Sequence, residues 1–231
     1  MRRMLFGIFV GAFVLAVTTQ ARSRLDEPIL GDFRIANPRL LEPCEFAVAM
    51  HQLAREAKVL LGFEQPRTCW VVGRWPDAGD NPEVLTSMTA RQALDHLVAM
   101  VPAYRWQEID GVIVVRPKEA WDDPRNPLNL PTAPFEVPNG HSHGVLETML
   151  RAVTPSLLTP HVDVPSRSIN RPVSVSFPGG TLLDALNALV RAHGDSEWQF
   201  GYEGARATVV VNTIEVSHAV VMAPITLPRP R

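Results

Sequence analysis

The chain repeats one pattern at a fixed spacing of 92 residues. Residues 89–117 read TARQALDHLVAMVPAYRWQEIDGVIVVRP, and residues 181–211 read TLLDALNALVRAHGDSEWQFGYEGARATVVV. A shared offset over so many positions predicts two copies of one small unit. The matched pairs include Thr89 with Thr181, Ala93-Leu94 with Ala185-Leu186, Leu97-Val98 with Leu189-Val190, and Trp106-Gln107 with Trp198-Gln199.

Each copy predicts a helix followed by a hairpin. In the first copy Thr89 and Gln92 have the spacing of a capping box, and an apolar stripe at helical spacing follows them. Asp110 and Gly111 are the residues preferred in a type I′ turn between two alternating strands. The corresponding signals in the second copy are Thr181, Asp184, the helix-ending Gly194 and the strand 208–211.

Another predicted helix lies upstream of each of these units, at 46–61 and at 144–153. Short extended segments precede these helices, and strand material separates each of them from the helix that follows. We therefore predict an α+β fold built from two tandem β-α-β-(β)-α-β-β modules, each with two helices packed on one face of a small mixed sheet. The predicted strand segments are 33–35, 69–72, 84–85, 135–137 and 173–177.

The N-terminal residues resemble a signal peptide. Arg2 and Arg3 precede an apolar run over residues 5–17, and small residues follow at the positions that a signal peptidase reads, which predicts cleavage after residue 21. The run is short for a membrane span, which needs about 20 apolar residues, although an uncleaved anchor is the alternative. The predicted product is periplasmic or secreted and has no membrane span after cleavage.

The remaining chain divides by composition. The first module is predicted at 22–117 and the second at 135–216, with a proline-rich linker at 118–134 and a proline-rich tail at 217–231. The prolines of the linker predict a stiff, extended spacer. Beyond residue 21 the chain has 20 Lys and Arg against 24 Asp and Glu, so its charge gives no reason to expect nucleic acid as a partner.

Cys44 and Cys69 are the two cysteines of the chain. In an exported protein an even number of cysteines indicates a disulfide. The pair comes together only if the chain doubles back as a strand directly after the helix at 46–61. Two separate buried thiols are the alternative, and neither cysteine lies in a CxxC motif.

Each copy resembles the short N-terminal domain shared by bacterial secretins and TonB-dependent signalling receptors, the STN domain. The family pattern is a threonine, an Ala-Leu pair, further leucines, aromatic residues, a turn and a β-branched strand. The resemblance implies a periplasmic interaction module. Family members usually carry one such domain ahead of a secretin ring or an outer-membrane barrel, whereas this chain has two copies. The matching residues are Thr89, Ala93, Leu94, Leu97, Tyr104, Trp106, Gly111 and 112–115, then Thr181, Ala185, Leu186, Leu189, Trp198 and 209–211.

The sequence contains no convergent catalytic set. It has neither a G-x-S-x-G motif nor a catalytic-cysteine signature, so we predict a protein that is not an enzyme and has no cofactor. His141 and His143 form the best metal candidate, but two ligands are fewer than a zinc site requires. We predict no metal site, and a periplasmic metal-binding protein or enzyme that uses this histidine loop is an alternative function.

We predict a protein-interaction module that acts as an accessory or adaptor of a secretin or TonB-linked envelope system. The hairpin strands are β-branched and short, and such a strand at a sheet edge accepts a partner's strand through main-chain hydrogen bonds. The partner is another envelope protein, and a self-associating structural protein is the second alternative. The candidate partner-binding residues are Val112, Ile113, Val114, Val115, Val209, Val210, Val211, Trp106 and Trp198.

Overall fold

The computed structural model describes residues 24–29, 33–35, 43–65, 83–85, 87–152, 172–203, 206–213 and 221–226. Four α-helices lie in these ranges: α1 (Pro43–Ala57), α2 (Ala90–Met100), α3 (Ser142–Ala152) and α4 (Leu182–His193). Three two-stranded sheets are formed by β1 (Phe33–Ile35) with β3 (Glu83–Leu85), β6 (Pro131–Thr132) with β9 (Gly180–Thr181), and β7 (Phe135–Gly140) with β8 (Val173–Phe177). The six other strands are β2 (Leu60–Gln65), β4 (Tyr104–Ile109), β5 (Val112–Pro117), β10 (Ser196–Glu203), β11 (Arg206–Thr213) and β12 (Val221–Thr226).

One mixed sheet joins the two halves of the chain. Its strand order is β12-β11-β10-β2-β5-β4. β2 lies between β10 and β5 and runs parallel to both, whereas the remaining neighbours are antiparallel. Because β2 belongs to the first repeat and β10 to the second, main-chain pairing crosses from one repeat to the other.

Helices cover both faces of this sheet. The side chains of β5 show the arrangement, because successive residues of a strand point to opposite faces. Val112 and Val114 belong to the apolar core that contains α3 and α4. Ile113 and Val115 belong to the core that contains α1 and α2. The sheet is therefore the middle of three layers, and β5 is buried on both of its faces.

The α+β class predicted from the sequence is confirmed. The finer arrangement is not confirmed, because we expected each module to pack its helices on a sheet of its own, and the structure has one shared sheet with a helix pair on either face. The physical reason lies in β2, whose second edge is covered only when β10 of the other repeat pairs with it. The module boundaries at 22–117 and 135–216 stay predictions.

The local signals of the repeat take the conformations that the sequence predicts. Thr89 Oγ1 accepts a hydrogen bond from Gln92 N at 3.2 Å, and Gln92 Oε1 accepts one from Thr89 N at 2.9 Å. Thr181 and Asp184 repeat this capping box at 3.2 and 2.9 Å. The Asp-Gly pair between β4 and β5 has φ values of 50° and 80°, as a type I′ turn requires. α4 ends at Gly194 in the left-handed region, also as predicted.

The end of α1 differs from the prediction. The sequence predicts a helix over 46–61, but α1 ends at Ala57 and β2 follows. Lys58 has a positive φ of 52°, and Val59 N donates a hydrogen bond to Ala54 O at 3.0 Å. This is the Schellman type of helix end, in which glycine usually holds the left-handed position. Because lysine holds it here, the sequence carries no visible stop signal.

The proline-rich segment 118–134 is folded, so the expected extended spacer is not what the structure shows. It forms two short 3-10 turns, Lys118–Ala120 and Pro127–Asn129, and then strand β6. Leu128 is fully buried in the core of α3 and α4. Burial of this apolar side chain, together with the pairing of β6 with β9, holds the segment against the second repeat.

Candidate functional site

The strands predicted to offer an edge lie inside the sheet. β5, which contains residues 112–115, pairs with β2 on one side and with β4 on the other. β11, which contains residues 209–211, pairs with β10 and β12. Their main-chain groups are therefore used on both sides, and neither strand is positioned to accept a partner. The aliphatic side chains of Val112, Val114, Val209 and Val211 fill one core, and those of Ile113 and Val115 fill the other.

The two matched tryptophans make the same hydrogen bond but differ in exposure. Trp198 Nε1 donates to Asn187 Oδ1 at 2.9 Å, and Trp106 Nε1 donates to Asp95 Oδ1 at 2.9 Å. In both repeats the acceptor lies 11 residues earlier, on the preceding helix. Trp198 is fully buried, whereas Trp106 is half-buried because its strand lies at the end of the sheet. Of the two predicted residues, Trp106 is the one that a partner can reach.

β4 is an end strand of the six-stranded sheet. It pairs with β5, and no strand in the described ranges pairs with its other side. Lys118 N donates to Ala103 O at 2.8 Å, so residues 103 and 118 form a hydrogen-bonded pair. In an antiparallel ladder hydrogen-bonded and non-hydrogen-bonded pairs alternate, and this pair shows which residues of β4 bond to β5. Residues 103, 105, 107 and 109 direct their main-chain groups toward β5, so the N–H and C=O groups of Trp106 and Glu108 point away from the sheet. An edge of this kind is a template for another strand.

Charged groups surround Trp106 on the α2 side of the edge. The Arg91 guanidinium carbon is 5.6 Å from the centroid of the indole ring. Arg91 Nε also donates to Asp26 Oδ1 at 2.9 Å, and this hydrogen bond raises the pKa of the Arg91 guanidinium. Asp95 accepts from the indole nitrogen, as described above. The ring is therefore held at its polar edge, and a cation lies over its face.

Trp121 lies on the other side of the edge strand. Its ring centroid is 4.8 Å from the guanidinium carbon of Arg105 and 5.2 Å from that of Arg116. Arg105 is on β4 itself, and its Nη2 lies 3.8 Å from Asp122 Oδ2. The edge of β4 thus has a partly exposed tryptophan and an arginine on each face. These are the residue types that contribute most often to hot spots in protein interfaces.

A buried polar network fixes the segment that carries Trp121. Arg116 Nε donates to Glu64 Oε2 at 2.5 Å, and both side chains are 1% exposed. Arg116 Nη1 donates to Asn129 Oδ1 at 2.9 Å, and Asn126 Nδ2 donates to Glu64 Oε1 at 2.6 Å. Because a buried ion pair is favourable only when its remaining hydrogen-bonding groups are also satisfied, these amides complete the pair. The network connects the segment 118–134, which the sequence predicts to be a linker, to β2 and β5.

A second buried polar contact joins the two repeats on the α1 face. His51 Nδ1 lies 2.5 Å from Glu197 Oε1, and Gln199 Nε2 donates to the same oxygen at 2.9 Å. All three side chains are buried. His51 belongs to α1 and Glu197 to β10, so the contact links the halves of the molecule. The sequence pattern did not indicate it, because the partners lie 146 residues apart.

The structure adds no support for a metal site. No group of three or more His, Cys, Asp or Glu is placed to hold a metal ion in the part of the chain that is described. His141 directly precedes α3 and is exposed. The side chain of His143 lies outside the described residues, as do Cys69 and the side chain of Cys44. The predicted disulfide therefore stays a prediction, and metal binding by the loop at His141 and His143 stays an alternative.

A surface pocket of ≈ 580 Å³ lies at the C-terminal end of α1. Arg24 Nη1 donates to Lys58 O at 3.0 Å, and Arg55 pairs with Glu56 at 3.0 Å, so two of its cations are already engaged. The described part of its lining is mostly charged, with two arginines, two glutamates and one lysine. The lining residues are Arg24, Glu27, Pro28, Arg55, Glu56, Ala57 and Lys58.

No helix among the described residues is both long enough and apolar enough to cross a bilayer. Comparison with protein-family models, with curated proteins and with solved structures finds no match for this chain. The resemblance to the STN domain therefore rests on the sequence pattern alone. Among the features of the described residues, the free edge of β4 is the best candidate for a binding site.

Proposed function

We propose that this chain is an exported, non-enzymatic interaction module that binds an extended segment of another envelope protein as an added strand on β4. One observation carries the proposal: the main-chain groups of Trp106 and Glu108 point outward from a sheet edge that is flanked by tryptophans on both faces. In strand addition, main-chain hydrogen bonds supply affinity and flanking side chains supply specificity.

β4 suits this role better than the other end of the sheet. β12 contains Pro224, and a proline removes one main-chain donor from a strand. β4 contains no proline over Tyr104–Ile109, and a type I′ turn joins it firmly to β5. The tryptophans on its two faces are held by hydrogen bonds and cation–π contacts, so little side-chain freedom is lost on binding.

The signal-peptide pattern and the resemblance to the STN domain support an envelope setting for this module. We propose a periplasmic or secreted location and a partner in a secretin or TonB-linked system, namely a secretin, a TonB-dependent receptor or a signalling component. Self-association and a metal-dependent role of the loop at His141 and His143 are the competing functions. Photo-crosslinking tests the first of them, and zinc titration tests the second.

The test is site-specific photo-crosslinking in cells. A photoreactive amino acid replaces Gln107, which is exposed on β4, and in a matched control it replaces Glu136, which is exposed on β7. The Gln107 probe is also placed in a blocking variant and in its matched control. Glu108→Pro removes an outward N–H without removing a bond to β5, and Glu108→Ala keeps that N–H. Mass spectrometry identifies the captured proteins.

We expect the Gln107 probe to capture an envelope protein, the Glu136 probe to capture none of it, and Glu108→Pro to abolish capture while Glu108→Ala retains it. Capture of the chain by itself alone would replace the proposal with self-association. Equal capture from both probe positions would reject the β4 edge. Zinc titration of the purified chain gives an independent check, because binding near micromolar concentration would favour the metal function.

A further inference from the structure

In the second repeat the strand that corresponds to β4 is β10, and its outer edge is occupied. β10 stands 92 residues after β4, and Trp198 and Gln199 correspond to Trp106 and Gln107. The shared indole hydrogen bond to the preceding helix shows that the correspondence extends to side-chain geometry. In the second repeat this edge is not free, because β2 of the first repeat pairs along it.

The pairing of β2 with β10 has a definite direction and residue requirement. The strands are parallel, and Gly62 lies opposite Trp198. A Cβ atom at Gly62 would lie 2.2 Å from two carbon atoms of the indole, so the ring occupies the space above the glycine. α4 then packs over both strands. The edge of β10 therefore takes a parallel strand that carries a glycine beneath the tryptophan.

The β4 edge has the same tryptophan but a different neighbour. The position that is Phe200 on β10, opposite Glu64 of β2, is Glu108 on β4. A carboxylate at this position favours a basic residue on the incoming strand, because opposite charges directly across strands stabilise a pair. In β2 the neighbours of Gly62 are Leu61 and Phe63, which are apolar and point to the face of the sheet opposite the indole of Trp198. The matching residues of an incoming strand would point to the face of β4 on which Trp121 lies.

We infer that the β4 edge takes a strand that runs parallel to β4, with a glycine opposite Trp106, apolar residues on both sides of that glycine and a Lys or Arg opposite Glu108. This inference rests on the proposed function, since it specifies the segment that the edge would bind. The partner is thus an extended segment with the pattern apolar-Gly-apolar-basic.

The probe is a fluorescein-labelled synthetic peptide with the sequence of residues 59–66 that carries Glu64→Lys. A second peptide carries Gly62→Val in addition, and a third keeps the glutamate. Fluorescence anisotropy measures the binding of each peptide to the full chain and to its Glu108→Pro and Glu108→Ala variants. A spin label on either end of the first peptide then reports direction, because it broadens the amide signals nearest to it.

We expect the first peptide to bind, the glycine-to-valine peptide to bind at least tenfold more weakly, and the glutamate peptide to bind more weakly than the lysine peptide. Glu108→Pro should abolish binding, and Glu108→Ala should retain it and reduce the preference for lysine. An N-terminal spin label should broaden Tyr104, and a C-terminal label should broaden Ile109, because parallel strands share their direction.

Failure of the inference is distinguishable from failure of the proposed function. Antiparallel binding, or binding that tolerates valine, overturns the inference but keeps strand addition if Glu108→Pro still blocks it. Absence of peptide binding at millimolar concentration overturns the inference, while the proposed function then stands or falls on photo-crosslinking at Gln107. Binding that Glu108→Pro does not affect places the peptide elsewhere and overturns the inference, and the proposed function again stands or falls on photo-crosslinking at Gln107.

Discussion

Gly62→Ala is the substitution that most directly tests how closely the two repeats approach each other. Gly62 lies on β2 opposite Trp198 of β10. The added methyl carbon would lie 2.2 Å from indole carbons, whereas ordinary contacts begin at 3.4 Å. The indole or the strand would have to move by more than about 1 Å, and a well-packed core resists such shifts.

The expected cost follows from the surroundings of the indole. Trp198 is fully buried, and its Nε1 donates to Asn187, so a shift strains packing and a hydrogen bond together. Overpacking costs about 1–3 kcal/mol, and the weakened buried hydrogen bond adds about 1 kcal/mol. Replacing glycine in a strand returns about 0.5–1 kcal/mol through the unfolded chain. We expect a net loss of about 1–3.5 kcal/mol, or a Tm about 2–14 °C lower for a chain of this size.

Thermal and urea unfolding followed by circular dichroism measure this loss. Gly144→Ala is the matched control, because the residue is in helix α3 and its added Cβ would meet no atom within 4 Å among the described residues outside its own turn of helix. The control should raise stability by about 0.5–1 kcal/mol. A Gly62→Ala protein that unfolds within about 0.5 kcal/mol of the parent would show that β2 and β10 do not pack as described.

Four further outcomes follow from buried and shared groups. The hydroxyl of Tyr104 is buried without a hydrogen-bond partner among the described residues, so Tyr104→Phe should keep stability or raise it by about 1 kcal/mol in urea unfolding. Burial, and after it the charge of Glu64, raise the pKa of the Tyr104 hydroxyl. Above about pH 10 the unfolded chain therefore releases this proton while the folded chain keeps it, and stability falls. The fall should be smaller in Tyr104→Phe. Arg116→Leu leaves Glu64 buried without a cation and should cost about 3–5 kcal/mol, whereas Arg125→Ala, at an exposed pair, should leave the urea midpoint unchanged. A protease site placed within 122–131 should give a cut protein that still elutes as one complex, and halves that melt cooperatively when expressed separately would contradict the shared sheet.

Local structure could be predicted from the sequence wherever a single residue or pair decides it. The capping boxes at Thr89 and Thr181 and the left-handed Gly194 take the predicted conformations, because each depends on atoms only a few residues away. The end of α1 could not be predicted, because Lys58 takes a conformation that lysine rarely adopts. The hydrogen bonds that close the end of α1 stabilise this conformation of Lys58, whereas the lysine side chain does not favour it.

The candidate site could be predicted only in part. The repeat identified Trp106 and the hairpin, but it favoured β5 as the edge where the structure has β4. Apolar β-branched residues predict a strand but do not show which of its edges is paired. The two faces of β5 are buried by helices of different repeats, and this arrangement is not visible within the hairpin itself. The ion pair of Glu64 with Arg116 could not be predicted either, because its members lie 52 residues apart on strands whose adjacency was unknown.

The two-faced burial of β5 has a consequence for how the strand finds its alignment. Residues 112–115 are all aliphatic, so a slip of one position would exchange the two cores without exposing any apolar side chain. Hydrophobicity alone therefore does not define the alignment of this strand. Arg116 helps to define it, because a slip would move its charge away from Glu64 to the face occupied by Phe63 and Tyr104 and would break a buried ion pair. Arg116 and the two-residue turn at Asp110 and Gly111 thus act together to select one pairing of β5.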